Sequence, residues 1–130
     1  MSVFVSKTII NQPVEIVYAF LEDCNNHEKL QPENIYNWTS TRDEASFTIQ
    51  NMAKLALKIK ERKENAEVSL VPSHEAPFDL SLNWFLSSVE NGTEVKLELN
   101  ADLNMMMKMI ASGPLQKLLD FQIKKLAEIF

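Results

Sequence analysis

Residues 104–130 constrain this chain more than any other stretch. At 3.6 residues per turn, Leu115, Leu118, Leu119, Ile123, Leu126, Ile129 and Phe130 share one broad apolar face, with Lys117, Asp120, Lys124 and Glu128 opposite. Gln122 interrupts the apolar face near its middle. A helix of this kind is not stable alone in water, and its stripe needs a large apolar surface to lie on. Gly113 and Pro114 read as its opening. Carried backwards through Pro114, the same phase puts Met106 and Ile110 on the polar side. A break at 112–114 is therefore expected, with Met105, Met106, Met107, Met109 and Ile110 on a separate short helix. Flexible thioethers there suit either gap-filling core or a lid hinged at Gly113.

The remaining residues supply a sheet to receive that helix. Residues 3–10 are rich in β-branched and aromatic types and read as a first strand, although apolar groups on both faces leave its inward side open. Asn11-Gln12-Pro13 then starts a helix, with proline expected at its first position and Glu15 suited to its positive end. Val14, Val17, Tyr18, Leu21 and Cys24 share one helical face, so Cys24 reads as a small core residue. Residues 25–32 are polar and hold a short second helical turn. From Asn34 the period changes to two, and six strands are expected at 35–41, 45–50, 55–62, 66–71, 78–88 and 93–103. The last two alternate most cleanly, through Phe78, Leu80, Leu82, Trp84 and Leu86, and through Val95, Leu97, Leu99, Ala101 and Leu103. One face of each is apolar and one wet, as in an antiparallel sheet covered on a single side. Asn91-Gly92 between them is a hairpin signal, because both residues tolerate positive φ.

The chain is thus α+β, with the order β–α–α–β6–α. Without repeat, low-complexity tract or linker, residues 1–130 form one domain. A hydrophobic fraction of 45% is enough for a packed core. The net charge of −5 argues against nucleic acid or an anionic membrane as the main partner. No apolar run is long enough for membrane insertion, and the first residues do not read as a signal peptide. The single cysteine excludes an internal disulfide and suits a reducing cytosol, so a cytoplasmic location is expected. His27 and His74 read as isolated, in polar loop-like surroundings. Neither metal-ligand spacing nor a nucleophile motif is present, and no cofactor is expected.

Three stretches carry a family resemblance: Pro-Val-Glu-Ile-Val-Tyr-Ala-Phe-Leu-Glu-Asp at 13–23, Asn-Trp-Phe-Leu at 83–86 followed by Asn-Gly-Thr-Glu-Val at 91–95, and the helix of 104–130. In this order they resemble the first helix, the penultimate hairpin and the C-terminal helix of the START-like (SRPBCC) superfamily. That is the helix-grip fold shared with polyketide cyclases and the birch-pollen allergen group. The resemblance implies a seven-stranded curved antiparallel sheet wrapped around a long C-terminal helix. It also implies an apolar cavity between them, used across the superfamily to hold lipids, quinones, polyketides and similar molecules. The chain is short for the superfamily and has only two glycines, so the glycine-rich loop of the allergen branch has no counterpart here.

On that footing the expected function is binding or carriage of a small hydrophobic molecule, with no catalytic residue assigned. The residues expected to line the cavity are Trp38, Phe47, Ile49, Leu57, Leu70, Leu82, Trp84, Leu97, Leu99, Met106, Met109, Ile110, Leu119 and Gln122. Gln122 is the candidate polar anchor, since a buried amide without a partner costs on the order of 1–3 kcal/mol. It could equally bond Tyr18, Trp38 or water. Glu61 continues the apolar phase of Leu55, Leu57 and Ile59. It is therefore either the cavity acid of a cyclase- or isomerase-type enzyme or a solvent-exposed strand end. A third alternative is a protein-interaction module with a filled cavity.

Overall fold

The computed structural model describes residues 1–130 and contains seven strands and three α-helices. Strand β1 (Ser2–Ile10) leads into α1 (Val14–Leu21), a short α2 (Cys24–His27) and a 3-10 turn (Glu28–Leu30). Five strands follow without interruption: β2 (Ile35–Ser40), β3 (Glu44–Ile49), β4 (Ala53–Lys63), β5 (Glu67–Pro72) and β6 (Leu80–Val89). Strand β7 (Gly92–Ala101) and helix α3 (Met105–Ile129) complete the chain. All strands pair antiparallel in the order β1-β7-β6-β5-β4-β3-β2, forming the curved sheet of a helix-grip fold.

The alternation of β6 and β7 places Trp84 opposite Leu97 and Leu86 opposite Val95, all four buried. Register with β7 also settles the open question in β1. Phe4 faces Leu99 and Ile10 faces Thr93 on the inner side, while Val3, Val5 and Ile9 are exposed. Between β6 and β7, Asn91 has φ 65°, but Gly92 has no positive φ. Gly92 is required for another reason, since a Cβ there would lie 2.2 Å from the Ile10 carbonyl oxygen. Pro13 also sits one residue earlier than expected. It occupies the N-cap of α1, and its carbonyl accepts from the amides of Ile16 and Val17 at 3.1 and 3.3 Å.

Two bulges rephase the strands that follow. In β2, Asn37 and Trp38 stand opposite the single residue Phe47, with Asn37 at φ 55°. The extra residue turns the Trp38 ring onto Phe47, stacked at 5.1 Å between centroids. In β4, Ile59 pairs with Leu70 and Glu61 with Ser69, leaving Lys60 unpaired. The apolar phase of Leu55, Leu57 and Ile59 therefore passes to Arg62 rather than Glu61. Glu61 points to solvent, 3.8 Å from Lys63 Nζ. Arg62 donates to the Glu22 carbonyl through Nε and Nη2 at 3.0 and 2.8 Å and pairs with Asp43 at 2.9 Å. It staples the end of α1 to the β2–β3 turn.

Helix α3 is continuous, without the break expected at 112–114, and Pro114 lies inside it. A proline there removes the amide that would bond the Ile110 carbonyl, at a typical cost of ~3 kcal/mol. The first turns are held from both sides nonetheless. Asn104 Oδ1 accepts from the Met107 amide at 2.8 Å, Met107 is half-buried and Ala111 is fully buried. Continuity has the consequence the phase requires: Met105, Met106, Met109 and Ile110 are 80%, 70%, 83% and 62% exposed. They do not form gap-filling core, and no break at Gly113 separates them from the rest of the helix.

Candidate functional site

The apolar interior closes first around the C-terminal half of α3. Leu119, Ile123 and Leu126 are buried against a core that includes Val17, Leu21, Trp84, Val95 and Leu97. Of the residues expected to line a cavity, Ile49, Leu57, Leu70, Trp84, Leu97, Leu99, Leu119 and Gln122 are buried, whereas Trp38, Phe47 and Leu82 are half-buried. Met106 and Met109 stand on the solvent side of α3, because the helix runs unbroken through Pro114, and Ile110, though mostly exposed, reaches the edge of an opening.

Within this interior lies a polar cluster. Gln122 Nε2 donates to Gln31 Oε1 at 2.9 Å, and Gln31 Nε2 donates to the His27 carbonyl at 2.8 Å. Thus Gln122 is hydrogen-bonded on one side, to a partner the sequence did not suggest. Its Oε1 has no partner, and neither does the indole nitrogen of Trp84 or of Trp38. His27 is buried rather than in a polar loop. Its Nε2–H donates to the Leu21 carbonyl at 2.8 Å, and its ring meets Trp84 edge-on at 5.9 Å. Burial pushes the His27 pKa below its ordinary value, keeping the ring neutral. Burial likewise pushes the Cys24 thiol up to about 11, which fits an inert core residue. Spacing did carry a signal for His27, since Leu21, Cys24, His27 and Leu30 recur every third residue and are all buried.

The main apolar opening lies at the other end. A cleft of about 310 Å³ separates the β3–β4 hairpin from the middle of α3. Its apolar wall is Ile49, Met52, Ile110, Leu115 and Leu118, with Asn34, Gln50 and Asn51 at the rim. Only Ile49 and Ile110 among its lining were expected at a site. Met52 and Asn34 were missed because they sit in turns, where no period marks an inward side. Leu115 and Leu118 belonged to the stripe but gave no sign of reaching an opening. A depression of about 340 Å³ lies beside Ser46, Thr48, Lys54 and Glu75, and one of about 400 Å³ between 11–15 and 88–92. Both are lined mostly by polar residues, and neither holds a cluster suited to chemistry. The cleft by α3 can desolvate a small apolar group and offers amides, but no charged side chain, at its rim. No helix is long and apolar enough to cross a membrane.

Neither protein-family models nor curated protein sequences match the chain. Solved structures do match over nearly its whole length. A protein described as KanY superposes with a TM-score of 0.82 at 14% identity, covering 98% of this chain and 96% of that one. TTHA0849 from Thermus thermophilus gives 0.79 at 16% identity, covering 98% and 95%. The Aha1 dimer from Colwellia psychrerythraea gives 0.68 at 17% identity, covering 99% and 98%. At such identities the likeness is one of fold, and the architecture that this chain shares with all three is the helix grip.

Proposed function

We propose that the protein is a START-like binder of a small, mainly apolar molecule, seated in the cleft between the β3–β4 hairpin and α3. The observation that carries this reading is the cleft itself, an apolar recess where the interior opens to solvent. At about 310 Å³ it is at the small end of ligand sites, which run from roughly 300 to 1,000 Å³. Burying on the order of 200 Å² of ligand at ~25 cal/mol per Å² gives ~5 kcal/mol, equivalent to roughly 0.2 mM before association costs, so millimolar or weaker affinity is expected. The cavity reached from Trp84, Leu97 and Leu119 is less favoured, because none of these residues lines any of the five principal depressions.

An NMR titration with methyl dodecanoate tests the reading. Shifts should concentrate at Ile49, Met52, Leu115 and Leu118, and a Leu118→Trp variant that fills the recess should lose them. Shifts scattered over the surface, or unaltered by the substitution, would refute it. The enzyme alternative loses its acid, since the bulge at Lys60 turns Glu61 outward. The exposed methionines favour one second reading, a protein-interaction module. Replacing Met105, Met106 and Met109 by Gln separates the two, because ligand shifts persist under the first reading.

A further inference from the structure

Along α3, Met106, Ile110, Gly113, Lys117, Phe121 and Lys124 recur every three or four residues and so form a single line, and all six are exposed. The line runs on the side of the helix opposite Leu115 and Leu119. Its first half is apolar, with exposed Met109 beside it. Glycine inside an exposed helix is unfavourable relative to alanine, yet nothing of this chain comes within 4 Å of the Cβ that Gly113 lacks. The missing side chain therefore relieves no contact within the molecule, but it lets a second backbone approach closely at this point. On the same side, Pro114 leaves the Ile110 carbonyl without its helical donor.

The line is also self-complementary. We propose that it is the contact of a two-fold symmetric dimer, in which α3 of one copy lies antiparallel on α3 of a second copy and the two cross at Gly113. Rotation about that point sets Met106 on the partner's Phe121, since the two lie seven and eight residues from Gly113 on opposite sides. That is a favourable thioether–aromatic contact. The aliphatic stem of Lys117 covers the partner's Ile110, with its ammonium at the carbonyl that Pro114 leaves free. Asp102 and Lys124 lie eleven residues before and after Gly113, so they meet in two intermolecular ion pairs. Both are exposed, and neither is paired within its own chain. The two Lys117 ammoniums stay about 12 Å apart along the axis at 1.5 Å per residue. Met106, Met109, Ile110 and Phe121 present on the order of 500 Å², against ~800 Å² per partner in a standard interface. A weak dimer is expected, with Kd on the order of 10–100 µM. An unrelated acidic helix would suit the lysines equally but would set like charge against Asp102. The dimer gives the interaction-module reading its partner, and it does not depend on the cleft, since Ile49, Met52, Leu115 and Leu118 lie off the contact line.

Sedimentation velocity on the full chain, from about 1 µM to about 1 mM, should show monomer passing to dimer. Gly113→Leu should weaken association about tenfold or more, while the dilute variant unfolds at or above the parent's temperature, because leucine favours helix. Asp102→Lys and Lys124→Asp should each weaken association about three- to tenfold, and the double exchange should restore the parent's Kd. A chain that stays monomeric throughout, or a dimer indifferent to Gly113→Leu, would overturn the proposal. A double exchange that fails to restore association would overturn the antiparallel register. A monomeric chain that binds an acidic amphipathic peptide, and loses it on Met109→Glu, would overturn the dimer and give the face to that partner.

Discussion

The two halves of α3 belong to one unbroken helix yet live in different environments. From Leu119 onward, the inward face is buried in the common core, with α3 lying chiefly against β1, the 3-10 turn and β7, and Leu119 and Leu126 are at most 1% exposed. Before Pro114 the same helix leaves three methionines and an isoleucine in water. On the strands of that side Trp38 and Phe47 are half-buried, although Ile35, Ala45 and Ile49 of the same strands are buried. The difference teaches that gripping is uneven: one end of the helix builds the core, and the other is left available. Stability should therefore reside in the first region and binding in the second.

The largest expected effect sharpens this contrast directly. Leu126→Ala should cost about 3–5 kcal/mol in urea unfolding, through lost burial plus a cavity, while Met109→Ala should stay within about 0.5 kcal/mol. A Met109→Ala cost comparable to that of Leu126→Ala would mean the open end is packed in solution. Next, Gly92→Ala should cost on the order of 3 kcal/mol, because the added methyl meets backbone rather than a movable side chain.

The polar cluster of the sealed half gives a smaller and opposite effect. Gln122→Leu should raise stability by about 1 kcal/mol, since it removes an orphaned carbonyl and leaves half-buried Gln31 free to find water. A loss of more than about 2 kcal/mol would show that the amide is satisfied and structural. At the open end, Gly113→Ala should stabilise by about 0.5–1 kcal/mol, because nothing lies within 4 Å of the new methyl and alanine favours helix. No gain there would point to strain at the Gly113–Pro114 step.

The last effect shows only on acidification. His27 is held neutral, with its pKa below the ordinary 6.5, so the unfolded chain binds the extra proton first. The stability that His27 contributes is complete above pH 6.5 and is lost as the pH falls through its folded value. Comparing the parent with His27→Gln across that window should show a shallower acid slope in the variant. Identical slopes would place the ring in solvent.

Much of the fold was legible from residue order. Alternation marked β6 and β7, the Asn91-Gly92 step marked their turn, and the stripe from Leu115 to Leu126 marked the buried side of α3. The same stripe, continued backwards, already placed Met106 and Ile110 on the wet side. Expecting a helix break to avoid that outcome was the error, because exposed apolar side chains cost less than abandoning a capped and anchored helix. Gln122 was legible as an anomaly, though its partner Gln31, 91 positions away, was not.

What the sequence determined by itself was the type and inward side of each element with a clean period, since periodicity is a property of near neighbours. Tertiary structure decided where that period slips. The bulges at Asn37–Trp38 and Lys60 turned Trp38 inward and Glu61 outward, and long-range pairing alone sets such a register. It also decided which end of α3 is sealed and where the cleft lies, because an opening is defined by the elements that fail to meet across it.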